Sequence, residues 1–318
     1  SLSYSSSSMI TFSQPRHIAA SVPASQQRLG NGPADRWPLT LPLTHVGGLT
    51  VVWRSLSAGG SIHLLARFET GAAIAALRDR SVTMASLVPT MLHRILERDP
   101  GPYRGLGAVL LGGAPASAEL VQRALVSGLP ILQTYGMTEG ASQVATVEPG
   151  TAIDALGTAG PPLPGVVVSF EDGEILVDGP TISPGYLGEP PRDGPHRSGD
   201  LGHLDPKGRL VVTGRKGEVI ITGGENVHPA VGEAAIDRLP MAGQAVVVGI
   251  PDAEWGQAVV AVIEAAQADL PEIERIIRSQ VKRHEVPRRW VPVGQLPALA
   301  NGKPDRRAAR MLAETADR

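Results

Sequence analysis

The chain contains no cysteine. That excludes disulfides, thiolate catalysis and cysteine-type zinc sites, and it suits a cytoplasmic location without requiring one. Aromatic residues are only 3% of the total, so aliphatic side chains must fill most of any core, with Trp53, Trp255 and Trp290 as isolated packing anchors. No apolar run approaches the roughly 18 residues needed to span a bilayer, and the start lacks a charged region followed by an apolar one, so a soluble protein is expected. Excess charge is scarce too. The formal net charge is -2, with Lys and Arg spread along the chain, which argues against a nucleic-acid footprint or a polybasic membrane surface. Any affinity for an anion must be local.

Turn chemistry is plentiful. Glycine (37) and proline (28) lack the triplet period of collagen and punctuate clear apolar runs, a pattern of tight turns and ligand-facing loops. The 318 residues leave room for two domains or three. After a Ser-rich opening, Ser1 to Ser8, the segment from His17 to Leu29 has helical character despite Pro23. Leu39 to Leu43 reads as a strand leading into Thr44-His45-Val46-Gly47-Gly48-Leu49, where the glycine pair lets the next helix approach closely. Strands at Ser61 to Leu65, Val82 to Leu87, Ala108 to Leu111 and Pro130 to Thr134 alternate with helices. These run from a Thr70 cap to Asp79, from Pro89 to Arg98, and from a Ser117 cap to Val126. Such alternation predicts a parallel or mixed sheet flanked by helices.

After Gly157 the texture changes. Short strands at Val166 to Phe170, Glu174 to Val177 and Arg209 to Thr213, separated by Asp172-Gly173 and Asp205-Pro206-Lys207-Gly208, predict a small antiparallel sheet. From Lys216 a smaller α+β unit begins, with strands at Val219 to Ile221, Ala245 to Ile250 and Val259 to Ile263. A helix opened by Pro271 places Ile273, Ile276, Ile277 and Val281 at helical spacing. The fold class is therefore α/β: a large N-terminal domain with its small antiparallel subdomain (1–215, of which 157–215 is β-rich), then a smaller α+β domain (216–318).

The chemistry concentrates in Gln133-Thr134-Tyr135-Gly136-Met137-Thr138-Glu139-Gly140-Ala141-Ser142. Pro130 to Leu132 reads as the end of a buried strand that empties into a ligand loop. Tyr135 offers a flat face for a base, and Thr138 and Glu139 offer hard oxygens suited to magnesium bridging phosphates. In sheets of this kind ligands sit outside the carboxyl ends of the strands, where Gly112, Gly113 and Ala114 also lie. His45 is either a structural histidine at a strand end or a functional side chain.

Thr44 to Leu49, Leu111 to Ala114, Gln133 to Gly140, Ser198 to Gly202 with Gly214-Arg215, Gly223 to Pro229, Pro251 to Gln257 and Gly302-Lys303 come in the order and spacing of one family. On these motifs the chain resembles the adenylate-forming superfamily of acyl-CoA synthetases, adenylation domains and luciferases. Tyr-Gly-Met-Thr-Glu followed by Ala-Ser-Gln, Gly-Pro-Pro-Leu-Pro-Gly and Gly-Gly-Glu-Asn-Val-His-Pro are most similar to its o-succinylbenzoate-CoA ligases of menaquinone synthesis. The resemblance implies a ligase that uses ATP and magnesium to convert a carboxylic acid into an acyl-adenylate, and then coenzyme A to form the thioester. It implies that Glu139 holds the magnesium ion and Thr138 an α-phosphate oxygen. Gln133, Tyr135, Gly136 and Met137 with Gly112, Gly113 and Ala114 would line the adenine pocket. Asp200 would bind the ribose, for which its two carboxylate oxygens can accept from both vicinal hydroxyls, and Arg215 follows at the family distance. Lys303 would present a point charge during adenylation, His45 would stand beside the acyl pocket, and Gly223 with Gly224 would admit the pantetheine arm. A hinge is implied at Lys216 to Glu218, where Gly217 can absorb a backbone change.

The sequence also departs from this family. Its Thr/Ser/Gly phosphate loop ending in Pro-Lys-Gly is replaced by Ser3 to Thr11, which holds neither glycine nor lysine, and the usual first subdomain is absent. Losing one well-placed transition-state donor typically costs about 100- to 1000-fold in rate. Three explanations compete: a trimmed or altered chain, a short ligase that uses Ser6 to Ser8 as replacement donors, or a non-adenylating relative that binds or transfers an already activated acyl group; the retained Asp200, Arg215, Glu139 and Lys303 favour nucleotide chemistry. A separate reading pairs an exposed sheet edge with a second copy, as a homodimer. No nucleic-acid or membrane partner is expected.

Overall fold

The computed structural model describes residues 15–299 and 304–316, so the expectations for Ser3 to Thr11 and for Lys303 lie outside the described residues. In chain order the elements are α1 (Pro15–Leu29), β1 (Arg36–Pro38), α2 (Val46–Ala58), β2 (Ser61–His63), α3 (Thr70–Arg78), β3 (Met84–Leu87), α4 (Pro89–Arg98), β4 (Ala108–Leu111), α5 (Ala118–Val126), β5 (Ile131–Met137) and β6 (Ser142–Thr146). There follow β7 (Val167–Glu171), β8 (Glu174–Asp178), β9 (His196–Leu204), β10 (Leu210–Arg215), β11 (Ile220–Thr222), β12 (Glu225–Val227), α6 (Pro229–Ile236), β13 (Ala245–Asp252), β14 (Gly256–Glu264), α7 (Leu270–Gln280), β15 (Arg289–Val293) and α8 (Arg306–Thr315). They group into two compact units, residues 15–114, 120–198 and 203–211 in the first and 115–119, 199–202 and 212 onward in the second.

The first unit carries a mixed sheet in the order β3-β4-β5-β6. β3, β4 and β5 are parallel, and β6 runs antiparallel to β5. The helix between β3 and β4 shows why: Pro89 opens α4 where a missing N–H costs nothing, and Met91, Leu92, Ile95 and Leu96 form its buried stripe. The aromatic anchor here is not Trp53, which is 44% exposed, but Trp37, 1% exposed. Trp37 packs with Val51, Met84, Leu110 and Leu132.

Three local expectations are corrected. Leu39 to Leu43 is not a strand; the strand is Arg36–Pro38, paired in parallel with β2, and Pro42 denies the following segment a ladder donor. The helix at Thr70 is capped by Glu69, whose carboxylate accepts from the N–H groups of Gly71 and Ala72. The third concerns β5 and is described with the site. The glycine pair behaves as expected: a Cβ on Gly48 would fall 2.3 Å from the Pro42 carbonyl oxygen. The β-rich part forms a second sheet ordered β10-β9-β8-β7.

The second unit has a five-stranded sheet in the order β12-β11-β14-β13, with β15 on β14. Its long pair explains an uninterrupted apolar sequence. Val247, Val259, Ala261 and Ile263 face one buried cluster with α6 and α7. Their neighbours Val246, Val248, Val260 and Val262 face another with α8. A strand alternates its side chains, so a sheet covered on both faces needs apolar residues at every position. Ile273 and Ile277 are buried against the first cluster, with Ile276 and Val281 partly buried beside them. Among the described residues no helix is long and apolar enough to cross a membrane.

Candidate active site

The sheet of the first unit ends in two glycine-dependent turns. Leu111 pairs with Gln133, and Gly112 continues from β4 with its N–H donated to the Leu87 carbonyl at 3.2 Å. A Cβ at Gly112 would sit 2.7 Å from the Thr134 side chain and 2.8 Å from its carbonyl oxygen, so only glycine lets β5 pass this closely. Gly113 adopts a φ of 83°. Gly112, Gly113 and Ala114 therefore lie at the carboxyl end of a parallel strand, beside the start of the Gln133 stretch.

That stretch is mostly strand, which corrects its reading as a loop. β5 continues to Met137 and pairs with β6 from Thr134↔Thr146 to Met137↔Ser142, with a register shift between Tyr135 and Gly136. Buried polar side chains hold it there. Ser25 on α1 donates to Gln143 Oε1 at 2.6 Å, Gln143 Nε2 donates to Thr146 Oγ1 at 2.7 Å, and Thr134 Oγ1 donates to the Ala145 carbonyl at 2.9 Å. Gly136 is obligatory, because a Cβ would lie 1.6 Å from the Ser142 carbonyl oxygen. Tyr135 and Met137 pack against the cluster containing Val144, Leu163 and Ile175, so the Tyr135 ring is half-buried.

Only Thr138–Gly140 forms the turn, as a 3-10 helix. It closes through Ala141 (φ 50°) and Ser142 (φ 95°), two non-glycine residues in the left-handed region, where backbone strain tends to mark functional sites. Thr138 is exposed and Glu139 half-buried. Glu139 Oε1 accepts from the Tyr186 hydroxyl at 2.8 Å, and its carbonyl accepts from the Ser183 N–H at 2.7 Å. Among the described residues no group of three or more His, Asp or Glu side chains could hold a metal. A single carboxylate beside a hydroxyl still fits magnesium, which keeps several waters and is bound through one or two carboxylates plus substrate phosphates.

One residue escaped the sequence reading. Arg54 on α2 is 2% exposed. Its guanidinium donates to Ser142 Oγ at 3.3 Å and lies 5.9 Å from the centroid of Trp37. It makes no carboxylate ion pair among the described residues, its Nε has no hydrogen-bond partner, and burial pushes its pKa down to about 10. A buried cation without a counter-ion is costly unless something completes it. No local signal marks it, because an arginine between apolar helix positions looks like a solvated one.

His45 stands at the start of α2, its side chain exposed and making no cap hydrogen bond. In the second unit Arg215 Nε donates to Asp200 Oδ1 at 2.7 Å; the Asp200 side chain is 13% exposed and that of Arg215 62%. Gly223 (φ 57°) and Gly224 (φ 83°) both occupy the left-handed region. A Cβ on Gly223 would fall 2.7 Å from the Trp255 ring. Trp255 is in turn stacked by Arg288, whose guanidinium carbon lies 3.8 Å from the ring centroid. The structure thus brings Asp200 to Arg215, and Gly112 to the Gln133 stretch; Lys303 is not among the described residues.

Comparison with known proteins finds a match to the AMP-binding enzyme family model over residues 9–187 and to the AMP-binding enzyme C-terminal domain over residues 231–303. The 2-succinylbenzoate-CoA ligase of Bacillus licheniformis is 36% identical over 300 residues, covering 88% of this chain and 62% of the relative. Among solved structures, o-succinylbenzoate CoA synthetase from Bacillus subtilis with its acyl-adenylate intermediate superposes with a TM-score of 0.85 at 31% identity, over 94% of this chain and 66% of that one. The same synthetase with ATP and magnesium gives 0.83 at 30% identity, with the same coverage. The chain thus spans about 62% of the length of the curated relative.

Proposed function

The chain belongs to the AMP-binding enzyme family, and on that premise we propose that it is an acid-CoA ligase acting on a dicarboxylic aromatic keto acid, o-succinylbenzoate. The observation that carries the choice of acid is Arg54. One carboxylate of such a substrate reacts; the other needs a counter-ion away from the chemistry. A buried guanidinium without an acid of its own, hydrogen-bonded to Ser142 across the strand pair from Met137, supplies one.

In this reading the substrate carboxylate attacks the α phosphorus of ATP and pyrophosphate leaves. The thiol of coenzyme A then attacks the acyl carbon, loses its proton and displaces AMP. Glu139 would hold magnesium, which when bound supplies positive charge to the phosphates. Thr138 would donate to an α-phosphate oxygen, and Gln133, Tyr135, Gly136 and Met137 with Gly112, Gly113 and Ala114 would form the wall against the adenine. Asp200, oriented by Arg215, would accept from the ribose hydroxyls. Lys303 would neutralise charge as the acyl phosphate bond forms, His45 would border the acyl group, and Gly223 and Gly224 would leave room for pantetheine. The domain boundary would fall at 215/216 with the pivot at Lys216 to Glu218, and the setting would be cytoplasmic; pairing of an exposed sheet edge with a second copy belongs to a separate reading that the mass in solution tests.

The test is pyrophosphate release and thioester formation by the purified chain with ATP, magnesium, coenzyme A and a panel of acids. Turnover is expected with o-succinylbenzoate above mono-acids; silence across the panel together with no AMP binding removes the proposal. One observation favours a second reading: Ser3 to Thr11 lacks both glycine and lysine. A non-adenylating relative would bind or turn over thioesters without ATP and would be indifferent to Lys303→Ala.

A further inference from the structure

The segment just after β8 is not part of the expected site, yet it touches Glu139 twice. The backbone contact from Ser183 fixes the main chain of the turn, and the Tyr186 hydroxyl fixes one carboxylate oxygen. The segment is itself held. Ile182 and Ser183 are buried, and the Ser183 hydroxyl donates to the Gly185 carbonyl at 3.0 Å. Arg192 ties back through its N–H to the Pro184 carbonyl at 2.6 Å and through Nε to the Ser183 carbonyl at 3.3 Å. A phenol on so constrained a segment is a fixed donor. A glutamate side chain with several rotatable bonds, half-buried on a turn at the end of a strand, can otherwise sample rotamers that point away from a ligand.

We propose that Tyr186 is a positioning residue for the metal site. By holding Oε1 of Glu139 it presents Oε2 to the magnesium ion that accompanies the nucleotide, so a single carboxylate suffices where the described residues offer no cluster of acids. The inference rests on the reading of Glu139 given above. Partners that orient a metal-ligating carboxylate typically change metal affinity by about 10- to 100-fold when removed.

Tyr186→Phe keeps the ring and deletes the donor. With the purified chain and a non-hydrolysable ATP analogue, Mn2+ binding followed by electron paramagnetic resonance is expected to weaken about 10-fold, while binding of metal-free AMP stays as in the parent. In the adenylation assay the magnesium concentration for half-maximal rate should rise by more than the maximal rate falls. Equal Mn2+ affinity in parent and variant, with Glu139→Gln weakened, overturns the role of Tyr186 alone. Loss of Mn2+ and AMP binding together in Tyr186→Phe overturns it as well, by showing a structural role only. Glu139→Gln binding Mn2+ as the parent does would remove the reading of Glu139, and this inference with it.

Discussion

Two arginines withdrawn from solvent, one in each unit, are satisfied in opposite ways. Arg306 at the start of α8 donates to Glu233 at 2.7 Å and to the Val247 carbonyl at 3.1 Å, and pairs with Glu218 at 3.1 Å. Glu233 also accepts from the Val247 N–H at 2.8 Å. Arg54 has a serine hydroxyl and an indole for company and, among the described residues, no acid. The first arrangement is complete within the chain and reads as architecture. The second has no counter-ion among the described residues, and in the proposed reading the substrate's second carboxylate would supply it.

The comparison can be broken most sharply at Arg54. Arg54→Leu should lower kcat/KM for a diacid by about 2–3 kcal/mol, the worth of hydrogen bonds to a charged group, or roughly 30- to 150-fold. It should leave mono-acids unaffected, and the variant should melt no lower than the parent, because an unpaired buried charge has been removed. Steady-state kinetics with paired acids and a thermal scan check both halves. Arg306→Leu should do the reverse, lowering the stability of the second unit by about 1–3 kcal/mol. That is less than the 3–5 typical of breaking a fully buried pair, because the Arg306 side chain keeps 29% exposure. Denaturant unfolding reads it, and addition of Glu233→Gln should recover part of the loss. An effect confined to a pH window is expected at Asp237, which burial, and then the charge of Glu233, pushes from 3.8 up to about 7. Between those values the folded unit retains a proton that the unfolded chain releases, so stability falls as pH rises through that window. Asp237→Asn should therefore change little near pH 4 and raise the unfolding temperature at pH 8.

The sequence was most legible where one residue type settles one local question. Pro89 and the stripe behind it give α4 its observed bounds, and the four apolar residues of β4 stand where the run predicts. The order of motifs led to the family. The cap at Glu69 and the lost strand at Leu39 to Leu43 are local misreadings; the remaining errors share a cause, in that they concern contacts made far along the chain. The strand character of Gln133 to Met137 depends on Gln143 and Ser25, which no window around Tyr135 contains. Trp37 rather than Trp53 is buried because of what α2 and β3 bring to it. Arg54 and Tyr186 carry no signature of their own and acquire meaning only from Ser142 and Glu139.

The Ser25–Gln143–Thr146 linkage has a mechanical corollary. Greasy surfaces can creep past one another by a fraction of a residue at little penalty, whereas donors and acceptors meet or fail in whole steps. By fastening β6 to α1 through such toothed contacts, the chain turns the helix into a ruler for the hairpin tip. An insertion or deletion within α1, whose Ser25 is 118 positions from Gln143 along the chain, would then be felt at Thr138 and Glu139 as a change of address rather than a gradual loosening.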